Sequence, residues 1–120
     1  MRFRRGFPRG ISAVYARTAV SDEQQLAWQV GYCTAYCRSR GWTRVITYAD
    51  DGCSGVHLAE RSELARLLDD ARAGLIDRLV VEDMHRLARS PSELTWIMAQ
   101  FRTCRVAIHI VDHNEPRSIQ

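Results

Sequence analysis

Lysine is absent from this 120-residue chain: all 17 basic residues are arginine. That absence removes schemes built on a lysine ammonium. There can be no GxxxxGK[ST] phosphate loop, and no receiver-type pocket pairing an acceptor aspartate at the third strand's end, where Glu82 and Asp83 stand, with a later lysine. A GxGxxG dinucleotide fingerprint is missing too, so no nucleotide cofactor is expected. No apolar run approaches the roughly 18–20 residues of a membrane helix. The basic start Met1-Arg2-Phe3-Arg4-Arg5-Gly6 is not followed by a stretch of signal-peptide length. The expectation is a cytoplasmic protein with no membrane partner. Cys33, Cys37, Cys53 and Cys104 form no CxxC pair, and no Cys/His cluster has zinc-site spacing. Reduced thiols and no metal are expected, with Cys33 and Cys37 acting as small hydrophobes one helical turn apart.

What is present is ordinary for a globular domain: 46% hydrophobic, 26% charged, net charge +3. The length suits one compact domain. A charge of +3 does not by itself predict a nucleic-acid partner. Exclusive use of arginine has a bland origin in GC-rich coding, and a functional one in the planar fork that grips phosphate bidentately. Position has to decide between them.

Residues 11–16 (Ile-Ser-Ala-Val-Tyr-Ala) read as a buried strand after a basic lead-in, 1–10. Ser21, with Gln24 three residues on, reads as the capped start of a helix carrying Leu26, Val30, Cys33 and Cys37 inward and ending at Gly41. A second strand is expected at 44–48, then a polar loop at 50–55 with two glycines. Leu64, Leu67, Leu68 and Ala71 mark an amphipathic helix stopped by Gly74. Leu79-Val80-Val81 is a strand covered on both faces. Ser90-Pro91-Ser92-Glu93 starts a helix that turns Leu94, Ile97, Met98 and Phe101 inward, and 106–111 is a fourth strand. The tail, 113–120, shows no pattern and is expected to be loose. Trp28, Trp42 and Trp96 read as packing residues rather than base-stacking platforms.

The alternation predicts an α/β three-layer sandwich over 11–112, with a mostly parallel sheet of four to five strands and helices on both faces. Ligands of such sheets bind beyond the carboxyl ends of the strands, so loops 17–21, 50–55 and 83–89 should lie side by side. They would bring Arg17, Arg86 and Arg89 to one rim beside a helix N-terminus, an arrangement that suits phosphate. Scattered surface arginines are the commoner origin of such a set, and the order of motifs is what favours function.

Tyr15-Ala16-Arg17 resembles the Tyr-x-Arg-x-Ser signature of the serine site-specific recombinases, the resolvase/invertase family. Tyr48-Ala49-Asp50-Asp51-Gly52-Cys53-Ser54-Gly55 resembles the family's acidic loop, and Glu60-Arg61-Ser62-Glu63-Leu64 its Asp-Arg-x-x-Leu helix start. Residues 80–90, containing His85-Arg86-Leu87-Ala88-Arg89, resemble its Asp-Arg-Leu-x-Arg motif. The matches run in order from Val14 to Val111. The resemblance implies a resolvase-like catalytic domain acting on the DNA phosphate backbone through a 5′-phosphoserine link, without metal, cofactor or ATP. It implies that Arg17, Arg86 and Arg89 clamp the phosphate, that Arg61 supports them, and that Tyr15, Gln29, Asp50, Ser54 and His85 order the surroundings. It also implies a homodimer, a tetramer, or pairing with an active recombinase partner.

Two positions depart from the pattern. The serine two residues after the motif arginine is Ala19, and a methyl group cannot attack phosphorus. The acid before the paired arginines is His85. Ser21 is the substitute nucleophile to weigh, against its simpler reading as a helix cap; Thr18 is a weaker one. The chain as written is thus expected to be inactive in strand cleavage. The alternative is a non-catalytic dimerisation module of recombinase descent. The family's long dimerisation helix and DNA-binding domain have no counterpart within these 120 residues.

Overall fold

The computed structural model describes residues 10–52, 61–111 and 117–119. Strands β1 (Ser12–Arg17), β2 (Val45–Asp50), β3 (Arg78–Val81) and β4 (Ala107–Ile110) are parallel, and β5 (Arg117–Ile119) runs antiparallel at the edge. Helices α1 (Glu23–Ser39), α2 (Ser62–Arg72) and α3 (Pro91–Thr103) make the crossovers, and the sheet order is β2-β1-β3-β4-β5.

The strands alternate between two helical layers, as the pleat requires. Ala13, Tyr15, Leu79, Val81, Ile108 and Ile110 pack in one cluster with Leu64, Leu67, Ile97 and Phe101 of α2 and α3. Val14 and Val80 pack on the opposite face with Cys33, Tyr36 and Cys37 of α1. Both thiols are free, and burial first, with Cys37 second, pushes Cys33 up to about 12, so it is a packing group. The architecture is the three-layer α/β sandwich that the alternation predicts.

Several expectations give way, among them the inward stripe of α1, where Gln29, Cys33, Tyr36 and Cys37 are buried and Leu26 and Val30 are only half-buried. Within the tail, Arg117–Ile119 pairs with β4 in the register Ile108↔Ile119, where a patternless stretch was expected. Three residues carry too little periodicity to be recognised without their partner. The other tail residues, 113–116 and 120, lie outside the described residues, as do residues 1–9 of the lead-in. Helix α1 is capped by Asp22, whose carboxylate accepts from the Gln25 amide at 3.0 Å, and not by Ser21. Of the tryptophans, Trp42 packs against the core, whereas Trp28 and Trp96 are 43% and 45% exposed.

Strand order reverses direction between β1 and β3, so the crevice of the doubly wound sheet opens between their carboxyl ends. Arg17 ends β1, and a single 3-10 turn, Met84–Arg86, follows β3.

Candidate functional site

Arg17 stands at the last position of β1, in register with Asp50 of β2. Its backbone is held where the ladder stops by the fully buried Gln29 of α1. The Gln29 amide accepts from the Arg17 N–H at 3.1 Å and donates to its carbonyl at 3.0 Å, imitating a further strand. The Arg17 side chain reaches across the crevice, where Nε donates to the Arg86 carbonyl at 3.1 Å and Nη2 to the His85 carbonyl at 2.6 Å. Arg86 answers by donating Nη1 to the Arg17 carbonyl at 3.2 Å. Burial, and then the nearby charges of Arg61, Arg86 and Arg89, lower the pKa of Arg17. A guanidinium remains charged under such a load, so Arg17, Arg86 and Arg89 make a concentrated positive rim with Arg61 behind it.

Carboxylates fix this rim from behind. Arg86 Nε sits 2.9 Å from Glu82 and 4.0 Å from Asp83. The Asp83 side chain in turn accepts from the His85 amide at 2.8 Å, which caps the 3-10 turn. His85 itself is exposed, and its side chain orients neither arginine; only its carbonyl does. Arg89 is exposed two positions before the proline that opens α3, and no hydrogen bond or ion pair holds it among the described residues.

Arg61 differs from the other three. It is completely buried, with Nε and Nη2 donating to the Tyr15 hydroxyl at 3.2 and 3.1 Å, and Nη2 also to the Arg86 carbonyl at 2.9 Å. Its Nη1 faces Glu93 of α3 at 3.7 Å, an ion pair without a hydrogen bond. No part of it is exposed to meet a ligand, and its geometry is that of a brace between β1, the 3-10 turn and α3. Tyr15 passes the chain of contacts to Asp50 at 2.8 Å. Asp50 also accepts from the amides of Glu63 and Leu64, at 3.0 and 3.1 Å, and so caps α2, which has no cap of its own.

The loop after β1 turns outward at Ala19, which is exposed, as is Val20. The two neighbouring hydroxyls are tied to Asp51. Thr18 is buried, donates to Asp51 and accepts from the Gly52 amide at 3.0 Å. Ser21 Oγ donates to the other Asp51 oxygen at 3.0 Å. These donors, Thr18 foremost and then the Asp22 amide, lower the Asp51 pKa, which makes it a poor proton acceptor. Ser54 and Cys53 lie outside the described residues.

The chain matches the family described as "Resolvase, N terminal domain" over residues 12–119. It belongs to that resolvase family. A putative DNA recombinase of Bacillus subtilis (strain 168) is 35% identical over 78 residues, which cover 64% of this chain and 15% of that protein. This chain thus matches only a small part of that relative's length. Two solved catalytic domains share the fold. The N-terminal catalytic domain of TP901-1 integrase superposes with a TM-score of 0.78 at 26% identity, covering 84% of this chain and 77% of that one. The C-terminal catalytic domain of ISC1926 TnpA, an IS607-like serine recombinase, gives 0.77 at 28% identity, covering 89% and 71%. The fold of this resolvase-family member is that of a serine recombinase catalytic domain.

Sequence reasoning overlooked three residues of this site. Glu82 orients Arg86 although His85 replaces the motif acid, and its position four residues before Arg86 was the available signal. Glu93 enters the sequence reading only as part of a helix start. Ser90 does cap α3, accepting from the Glu93 amide at 3.2 Å, while the Glu93 carboxylate faces Arg61. Asp51 enters the sequence reading only as part of the acidic loop, whereas in the structure it gathers the β1 and β2 loops.

Proposed function

We propose that this domain grips a DNA phosphate in the manner of a serine recombinase but forms no covalent link to it, because Ala19 occupies the nucleophile's place. The observation that carries this reading is the mutual clamp of Arg17 and Arg86, with Arg89 exposed at the same rim and Ala19 in the exposed turn two residues beyond Arg17. Arg86 and Arg89 meet the phosphate directly and Arg17 completes the positive field. Arg61, Tyr15, Gln29 and Asp50 are positioning residues. Ser21 is not the substitute nucleophile in this reading, since Asp51 holds its hydroxyl and is a weak base. A cytoplasmic location goes with a DNA partner.

The test is the salt dependence of duplex DNA binding. Each phosphate contact contributes about 0.9 to the slope of log K against log salt concentration. Arg89→Ala should lower the slope by about one, while Arg102→Ala, an exposed arginine at the far end of α3, should leave it unchanged. Equal slopes for wild type and Arg89→Ala would remove the phosphate role.

A second reading, a dimerisation module that pairs with itself or with an active recombinase, draws on the exposure of Val20 and Trp96, at 80% and 45%. It requires self-association or a partner complex. Sedimentation as a monomer at every concentration, alone and with a recombinase, would eliminate it.

A further inference from the structure

A cleft of about 320 Å³ opens between α1 and the segment that follows β3, lined by Gln25, Trp28, Glu82 and Arg86. Its size is at the small end for a ligand-binding cleft. One wall is Arg86, whose guanidinium belongs to the positive rim. Another is Trp28, 43% exposed and stacked on Tyr32 with ring centroids 5.2 Å apart and planes 7° from parallel. The remaining walls, Gln25 and Glu82, bring an amide and a carboxylate.

We infer that this cleft takes an unpaired nucleobase, stacked on the Trp28–Tyr32 pair, whose own phosphate is held at Arg86; the inference rests on the phosphate reading above. Three features favour a base over a protein side chain. The cleft is continuous with a guanidinium set for phosphate, so base and phosphate of one nucleotide would be met together. A broad indole face, backed by a second ring, suits a flat π-system of any sequence. The Gln25 amide offers donor and acceptor groups of the kind that pair with base edges, while Glu82 holds Arg86 in place beside it. The inference makes Trp28 a binding residue for locally melted or nicked DNA, and it implies a preference for single strands over intact duplex.

The experiment uses the whole chain and two pentamers, oligothymidylate and the same strand with a central abasic sugar. Affinity is read by the anisotropy of a dye-labelled strand, and stacking by Trp28 fluorescence in a Trp96→Phe background, since Trp42 is packed away. The base-bearing strand is expected to quench Trp28 and to bind about tenfold more tightly than the abasic one, the size of a single base–aromatic stack. Trp28→Ala should abolish that difference and Trp28→Phe keep most of it, with the folded state of each checked by circular dichroism. Equal affinity for the two strands without quenching would overturn the stacking site and leave the phosphate reading standing. Failure of both strands to bind would overturn both. Quenching that rises with protein concentration alone, and not with a base, would assign the cleft to a second copy of the chain and overturn the inference.

Discussion

Arg17 and Arg86 hold each other by exchange, each guanidinium donating to the other's backbone carbonyl, at 3.1 and 3.2 Å. The exchange fixes two loops that are 69 residues apart in sequence across the crevice between β1 and β3. It also spends part of each fork on the backbone, which sets the direction in which the rest of the charge faces. In the proposed phosphate site this arrangement would be in place before any anion arrives, and preorganisation of that kind lowers the cost of binding.

Arg17→Lys tests the clamp. Lysine keeps the charge, but a single ammonium cannot reproduce the planar fork that reaches the Arg86 and His85 carbonyls together. Loss of one charge-assisted hydrogen bond in a buried position costs roughly 1.5–3 kcal/mol. Urea denaturation should show a loss of about that size, and DNA affinity should fall by about tenfold or more. An unchanged midpoint with unchanged affinity would mean that the exchange is idle.

Stability should also depend on His109 in mildly acidic solution. This residue is buried on the α1 face, with Tyr36 Oη 3.1 Å from its Nδ1, Trp42 edge-on at 4.9 Å, and Arg40 and Arg78 as the nearby cations. Burial, then Arg40 and Arg78, lower its pKa below the ordinary 6.5. The unfolded chain therefore takes up the proton first. The contribution of neutral His109 is complete above pH 6.5 and is lost as pH falls from there through the lower folded value. Thermal melting at successive pH values should show this decline, and His109→Gln should flatten it. A wild-type curve already flat between pH 5 and 6.5 would refute the assignment.

Helix ends show what could and could not be seen in the sequence. All three helices close with the same pair of hydrogen bonds, exemplified by Gly41 N–H to Arg38 O and Trp42 N–H to Cys37 O after α1. Gly41 and Gly74 take φ of +79° and +78°, and both stops were legible because glycine marks them. The matching position after α3 is Arg105, at φ +62°, and nothing in its identity announces a left-handed turn. The layers and parallel strands were legible for the same kind of reason, since they follow from periodicity over many residues. Positions set by one distant partner were not: Asp50 capping α2, Glu93 facing Arg61, and Asp51 drawing Ser21 away from the cap role depend on contacts that only the fold creates. The arginine rim was reached through motif order, because composition alone does not distinguish Arg89, exposed at the rim, from Arg61, buried behind it.

Arg105→Gly should accordingly stabilise the domain. A non-glycine residue in the left-handed region costs roughly 1 kcal/mol, partly offset by the greater freedom of glycine in the unfolded chain. A gain of about 0.5 kcal/mol in chemical denaturation is expected. A loss would show that the Arg105 side chain contributes more than its backbone conformation costs.

The most direct test of the account is to look for a protein–DNA bond by mass spectrometry, using Ala19→Ser and wild type on a nicked suicide substrate. The serine oxygen would form the new bond to phosphorus, and the 3′ oxygen would leave and take a proton. A 5′-phosphoserine adduct at residue 19 is expected in the variant, with its loss when Arg89→Ala is added and no adduct in the wild type. A wild-type adduct at Ser21, or a folded Ala19→Ser protein that binds the substrate and never joins to it, would contradict a phosphate cradle that lacks only its nucleophile.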